Sequence, residues 1–129
     1  MSSTMPTRMR LSPSLSLLSL LAVLPACGPT TREDAHVQAT RAACDYYAGC
    51  EEIGSGSGQE FQDRAECEVK SRDFFQGVWT ANNCPAINEK GLDTCLERIR
   101  TTSCSSGVDY FNTVFIVCGS GAVCQDAED

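Results

Sequence analysis

The segment N-E-K-G-L-D-T-C-L-E-R-I-R, residues 88–100, carries the clearest structural signal in the chain. Leu92, Cys95, Leu96 and Ile99 recur at i, i+3, i+4 and i+7, the spacing that lines up four apolar side chains on one face of an α-helix. Asn88 stands where a side-chain oxygen caps the first free backbone N–H groups. Arg98 and Arg100 sit near the carboxyl end, where cations favour the helix dipole. One member of the stripe is a cysteine, which ties the helical pattern to a covalent one.

The same period recurs on both sides. A first helix is predicted over residues 32–48, with Val37, Thr40, Cys44 and Tyr47 along one face. The run G-S-G-S-G at 54–58 then breaks it. No Lys-Ser/Thr follows that run and no strand precedes it, so it reads as a flexible loop and not as a phosphate cradle. A second helix opens at Asp63-Arg64-Ala65-Glu66, a capping box in which Asp63 accepts from a free N–H and Glu66 reaches back. Cys67, Ser71, Phe74 and Val78 line one face, and Phe75 and Trp79 widen it. An arc that broad predicts the central helix of the fold; it could also line a ligand groove, but core is the preferred reading. Gly77 weakens it locally, and Asn82-Asn83-Cys84-Pro85 ends it. A fourth helix follows Ser105-Ser106-Gly107, with Phe111, Val114, Phe115 and Cys118 on one face and Gly119 and Gly121 as stops. Val114-Phe115-Ile116-Val117 also reads as a buried strand. Helix is preferred because no second strand is evident to pair with it. The expected fold is all-α, a small four-helix bundle.

The 129 residues allow one modest domain. Ten Lys and Arg against 17 Asp and Glu exclude nucleic acid as a partner, because phosphate binding needs clustered cations. A 42% hydrophobic content with 21% charged residues excludes a wholly disordered chain.

Arg8 and Arg10 precede an apolar-rich run over 11–24, which closes with Leu24-Pro25-Ala26-Cys27. These are the charged, apolar and cleavage regions of an export signal. The run is no membrane span: 14 helical residues reach about 21 Å, against a hydrocarbon core roughly 30 Å thick. Ordinary signal peptidase takes small residues at the last and third-last positions before its cut, and Leu24 is too large for the latter. L-P-A-C instead resembles the bacterial lipobox, with Pro25 where Ala or Ser is usual. That resemblance implies cleavage before Cys27, diacylation of its sulfur and acylation of the new amine. At ~0.8 kcal/mol per buried CH₂, two or three long chains hold a protein on a membrane almost permanently. Gly28, in place of an Asp, after the lipidated Cys implies the outer membrane, facing the periplasm or the outside. The expected organisation is therefore a signal peptide over 1–26, a lipidated Cys and polar tether over 27–34, and a Cys-rich helical domain over 35–129.

Of the nine cysteines, eight remain once Cys27 is set aside: Cys44, Cys50, Cys67, Cys84, Cys95, Cys104, Cys118 and Cys124. An even number in an oxidising compartment points to four disulfides. No C-x-x-C pair is present, which argues against zinc, thioredoxin-type and haem-attachment sites. No metal or other cofactor is expected. Cys67 and Cys84 lie about 25 Å apart at opposite ends of one helix, and Cys95 and Cys104 roughly 13 Å apart. Neither pair meets the roughly 7 Å limit on Cα separation across a disulfide. An up-down bundle gathers Cys50, Cys67 and Cys104 at one end, with Cys44 a turn or two away, and Cys84, Cys118 and Cys124 at the other. The favoured pairing is Cys50–Cys67, Cys44–Cys104, Cys95–Cys118 and Cys84–Cys124.

The order A-C-D-Y-Y-A-G-C at 43–50, E-C-E at 66–68, L-D-T-C-L-E-R-I-R-T-T-S-C at 92–104 and C-G-S-G-A-V-C at 118–124 resembles a family of small Cys-rich bacterial lipoproteins of unknown function. Some of its members are encoded beside natural-product biosynthesis genes. The resemblance implies lipidation at Cys27 and disulfides among the later eight cysteines, and it brings no activity or catalytic residue.

Catalysis finds little support. His36, the one histidine, stands close to the anchor and reads as a surface residue, so a Ser-His-Asp or Cys-His site would have to form beside the membrane. Asp63, Glu66 and Glu68 crowd a helix start, where acids are ordinary dipole complements, and Glu51 and Glu52 precede the loop. No D-x-D-x-D-G loop is present for Ca²⁺. The expectation is a non-catalytic lipoprotein at the outer membrane, attached through lipid on Cys27, that binds an unidentified protein or small molecule. The alternatives are an accessory to natural-product biosynthesis, export or self-protection, and a purely structural tether.

Overall fold

In the computed structural model, which describes residues 28–104, 110 and 112–125, Thr31 caps the first helix, α1 (Arg32–Gly49). Its Oγ1 accepts from the Asp34 backbone N–H at 3.1 Å, and Asp34 Oδ2 accepts in return from the Thr31 N–H at 3.2 Å. Hydrogen bonds from the Thr31 hydroxyl and N–H hold the Asp34 carboxyl below its usual pKa. Thr30 donates twice to Glu89 Oε1, at 3.0 and 3.1 Å, and Arg32 Nη1 donates to the Cys84 carbonyl at 3.3 Å. Residues 31–34 of the polar stretch expected as a tether are thus the helix's own cap and first turn. The leader and Cys27 lie outside the described residues.

Ala35, Ala39, Ala42 and Ala43 are at most 1% exposed along α1. Side chains this small let two helices close in on it, and both α2 (Arg64–Val78) and α3 (Glu89–Thr101) pack there. The central helix is therefore α1 and not α2. On α2 the buried line is Cys67, Ser71 and Phe75, while Phe74 turns 38% of its surface to solvent. Asp63 Oδ1 accepts from the Glu66 N–H at 2.8 Å, as the capping pattern predicts, but Glu66 reaches back to the Gln62 N–H at 2.7 Å instead of to the cap itself. The helix stops at Val78, a turn before the expected asparagines. Asn83 Oδ1 accepts from the Thr80 N–H at 2.8 Å, and Asn83 Nδ2 donates to the Val78 carbonyl at 3.0 Å, so a side-chain turn replaces the helical one.

Trp79, at the end of α2, is fully buried and joins three elements. Its Nε1–H donates to the Cys118 carbonyl at 2.8 Å, its own carbonyl accepts from His36 Nε2–H at 3.0 Å, and its ring lies 5.1 Å from that of Phe75. His36 is only 4% exposed, which corrects its expected place on the surface. Because α1 begins at Arg32, His36 lies one turn inside the helix, on the face that meets Trp79.

The α3 stripe holds as read: Leu92, Cys95, Leu96 and Ile99 are all buried, and Asn88 Oδ1 caps the Gly91 N–H at 3.0 Å. The fourth helical segment forms where expected, with Tyr110 and Asn112 helical, but it is not a regular α-helix. Thr113–Val117 forms a π-helical turn that buries Val114 and leaves Phe115 and Ile116 53% and 73% exposed, and Phe111 lies outside the described residues. A separate short helix, α4 (Ser120–Val123), takes Gly121 inside it and packs on α3. A two-residue antiparallel ladder, not anticipated from the sequence, pairs β1 (Ala86–Ile87) with β2 (Cys124–Gln125). Among the described residues no helix is long and apolar enough to cross a membrane.

All eight later cysteines are bonded. Cys84–Cys124 and Cys95–Cys118 are the pairs favoured by the sequence, while the other two are exchanged: Cys44 bonds Cys67, and Cys50 bonds Cys104. The reason is depth along the helices. Cys44 lies about 7.5 Å inside the end of α1 and Cys67 about 4.5 Å inside the start of α2, so they face each other across the packed pair. Cys50 and Cys104 both stand just past a helix end. The result is a mostly helical, four-disulfide module.

Candidate functional site: a tyrosine-walled cavity

Tyr46 and Tyr47 fall in the last turn of α1, at the end remote from Thr31. Three aromatic rings meet there. Tyr46 stacks on Tyr110 at 4.5 Å with planes 11° apart, and Tyr47 meets Tyr110 edge-on at 5.2 Å. Phe61 takes the other side of Tyr47, edge-on at 4.9 Å. Together with Phe74, Phe75 and Phe115 these rings wall a cavity of about 470 Å³.

The loop after α1 supplies the polar edge. Glu51, with φ at +58°, turns the chain out of the helix, and the Gly/Ser run is closed at its base by a bridge between Ile53 and Phe61. The Glu60 and Phe61 N–H groups both donate to the Glu52 carbonyl, at 2.9 and 3.1 Å. Gly58 sits at φ +85°, a conformation that glycine adopts without strain. The segment expected to be only a flexible loop therefore seats Phe61 in a buried cluster with Cys44 and Cys67, and places Glu52 and Glu60 beside the rings. Two disulfides brace this end. Cys44–Cys67 lies behind Phe61, with Ser71 Oγ 3.7 Å from both sulfurs, and Cys104 of the Cys50–Cys104 bridge is itself part of the wall.

Electrostatics follow from the packing. Burial raises the Tyr47 hydroxyl to about 12, with help from the negative charges of Glu60 and Glu52. Tyr110, hydrogen-bonded to Tyr47, is pushed up as well, chiefly by burial. Lys70 also reaches the cavity, but its ammonium pairs with Glu66 at 2.9 Å and lies 5.8 Å from the centre of the Phe61 ring.

The residues weighed from the sequence are dispersed. His36 is packed against Trp79 and takes no part in the cavity wall. Glu66 and Glu68 serve α2, through Gln62 and Lys70 in one case and Arg64 at 3.0 Å in the other. Asp63 is the α2 cap. Of the Glu51-Glu52 pair only Glu52 reaches the cavity. Among the described residues no group of three or more His, Cys, Asp or Glu side chains is placed to hold a metal ion. Of the aromatic wall, the sequence singled out Phe74 and Phe75 on α2 but read them as core, and their meeting with Tyr46, Tyr47, Phe61 and Tyr110 went unread. A further signal is the Tyr46-Tyr47 doublet, two adjacent rings on a helix end that a single apolar face cannot both bury.

No curated protein and no solved structure is detectably similar to the chain. Residues 44–126, which contain every bonded cysteine and the whole cavity wall, match a family by sequence. The chain belongs to the family of unknown function DUF6184.

Proposed function

We propose that this chain is a non-catalytic, lipid-anchored binding module of the cell envelope, attached to the outer membrane through Cys27. The observation that carries the binding reading is the cavity. Its volume of about 470 Å³ falls within the roughly 300–1,000 Å³ usual for small-molecule sites. Rings and carboxylates converge on it, and among the described residues that line it no nucleophile is held by a base, which favours binding over catalysis. Its position suits an anchored protein. From Arg32 to Tyr46 is 14 helical steps, about 21 Å, so the cavity stands at the end of α1 remote from the one that follows Cys27 in sequence. The Leu24-Pro25-Ala26-Cys27 sequence and the pairing of every later cysteine support the separate role of Cys27.

Palmitate labelling combined with membrane fractionation tests the anchor. The natural chain should incorporate label and sediment with outer membranes. Cys27→Ser should lose the label and leave the membrane fraction while keeping four disulfides. A variant that stays labelled and membrane-bound contradicts the proposal.

A further inference from the structure

We infer that the cavity receives an organic cation, an ammonium group carried on an apolar body, with Glu52 and Glu60 supplying opposite charge and Tyr47, Tyr110 and Phe61 supplying π-faces. This rests on the binding reading above and names its ligand class. Aromatic rings present a negative face, and ammonium groups are held over such faces at distances up to about 6 Å. The protein already makes this contact once, with its own Lys70 ammonium 5.8 Å from the centre of the Phe61 ring. Lys70 does not neutralise the site, because Glu66 matches its charge at 2.9 Å. Glu52 and Glu60 are in no ion pair among the described residues, so their charge is available to a ligand. After burial, these two charges help to raise the Tyr47 hydroxyl, which places them close to the rings.

An anion entering this cavity meets two carboxylates and the negative faces of the rings. A neutral apolar molecule gains only from area. A cation gains from all three sources, and a volume of about 470 Å³ admits one bearing a ring of its own.

The test is an NMR titration of the full-length protein, purified from membranes in a non-ionic detergent with its disulfides intact. The probes are benzyltrimethylammonium and, as the anionic counterpart of similar size, phenylpropionate. The cation should bind saturably and about tenfold more tightly than the anion, with shifts centred on Tyr47 and Phe61. Glu52→Gln with Glu60→Gln should weaken the cation about three- to tenfold, and Lys70→Gln should tighten it about twofold or more, the sign expected when a like charge is removed. A general loosening of the fold would weaken binding in both variants and so overturns the inference. Equal affinity for both probes, or indifference to the carboxylate variants, refutes the cation and leaves a binding cavity of another class. Failure of both probes to bind overturns the inference and the cavity-based reading together.

Discussion

Trp79 buries a large ring against Phe75 and His36, and its polar N–H donates to the Cys118 carbonyl. Trp79→Phe keeps a ring in the core but leaves the Cys118 carbonyl without its donor. It should lower stability by about 2–4 kcal/mol, combining an unmet buried acceptor with the lost volume. Denaturant melts with the disulfides intact should show a lower midpoint at an unchanged slope. Tyr47 gives a prediction on the pH axis. Its pKa rises from about 10 in an unfolded chain to about 12 in the fold, so the folded state holds a proton that the unfolded state releases. The associated stability is complete below pH about 10 and is lost as pH climbs through about 12. Melting temperatures should fall across that window, as phenolate absorbance appears. Asn88 and Asp63 were legible as caps because capping chemistry is local. His36 was not, because its burial depends on where Trp79, 43 residues away, is placed.

On α3, Gly91 lies against α4, and a Cβ there would overlap the Ala122 carbonyl oxygen. On α2, a Cβ at Gly77 meets nothing within 4 Å. Replacing a helical glycine by alanine ordinarily stabilises by about 0.5–1 kcal/mol. Gly77→Ala should follow that rule, and Gly91→Ala should reverse it, destabilising by about 1–3 kcal/mol through the clash with backbone. Thermal melts of the two variants measured side by side settle the matter, and equal signs contradict the tight α3–α4 approach. The same elements show what periodicity conveys. The α3 stripe was readable because it is made of Leu, Ile and Cys set among charges. The alanine face of α1 was not, since alanine marks neither an apolar nor a polar side, and the broad aromatic arc on α2 drew the central role to the wrong helix. In 113–117 the helical period is real for Val114 and Cys118, but the π-helical turn sets Phe115 and Ile116 outside the core.

Taken together, the module is held by bridges that span it. Cys50–Cys104, 54 residues apart in sequence, closes a loop long enough that restricting the unfolded chain contributes on the order of 4 kcal/mol. The all-helical class and the participation of eight cysteines were legible from count and period. The favoured pairing matches for Cys84–Cys124 and Cys95–Cys118 and fails for Cys44, Cys50, Cys67 and Cys104, which crowd the same end at different depths. The cavity was legible only in its α2 rings, because the rest of the wall comes from the end of α1, a glycine-rich loop, Tyr110 and Phe115, which no single periodic pattern links. Sulfur connects the anchor proposed at Cys27 with the braced cavity. Mass spectrometry of the membrane-extracted protein, digested without reduction, reads both at once. The result to expect is an acylated peptide beginning at Cys27, together with Cys44 linked to Cys67 and Cys50 linked to Cys104. A retained leader, Cys27 joined to another cysteine, or a Cys50–Cys67 link would contradict it.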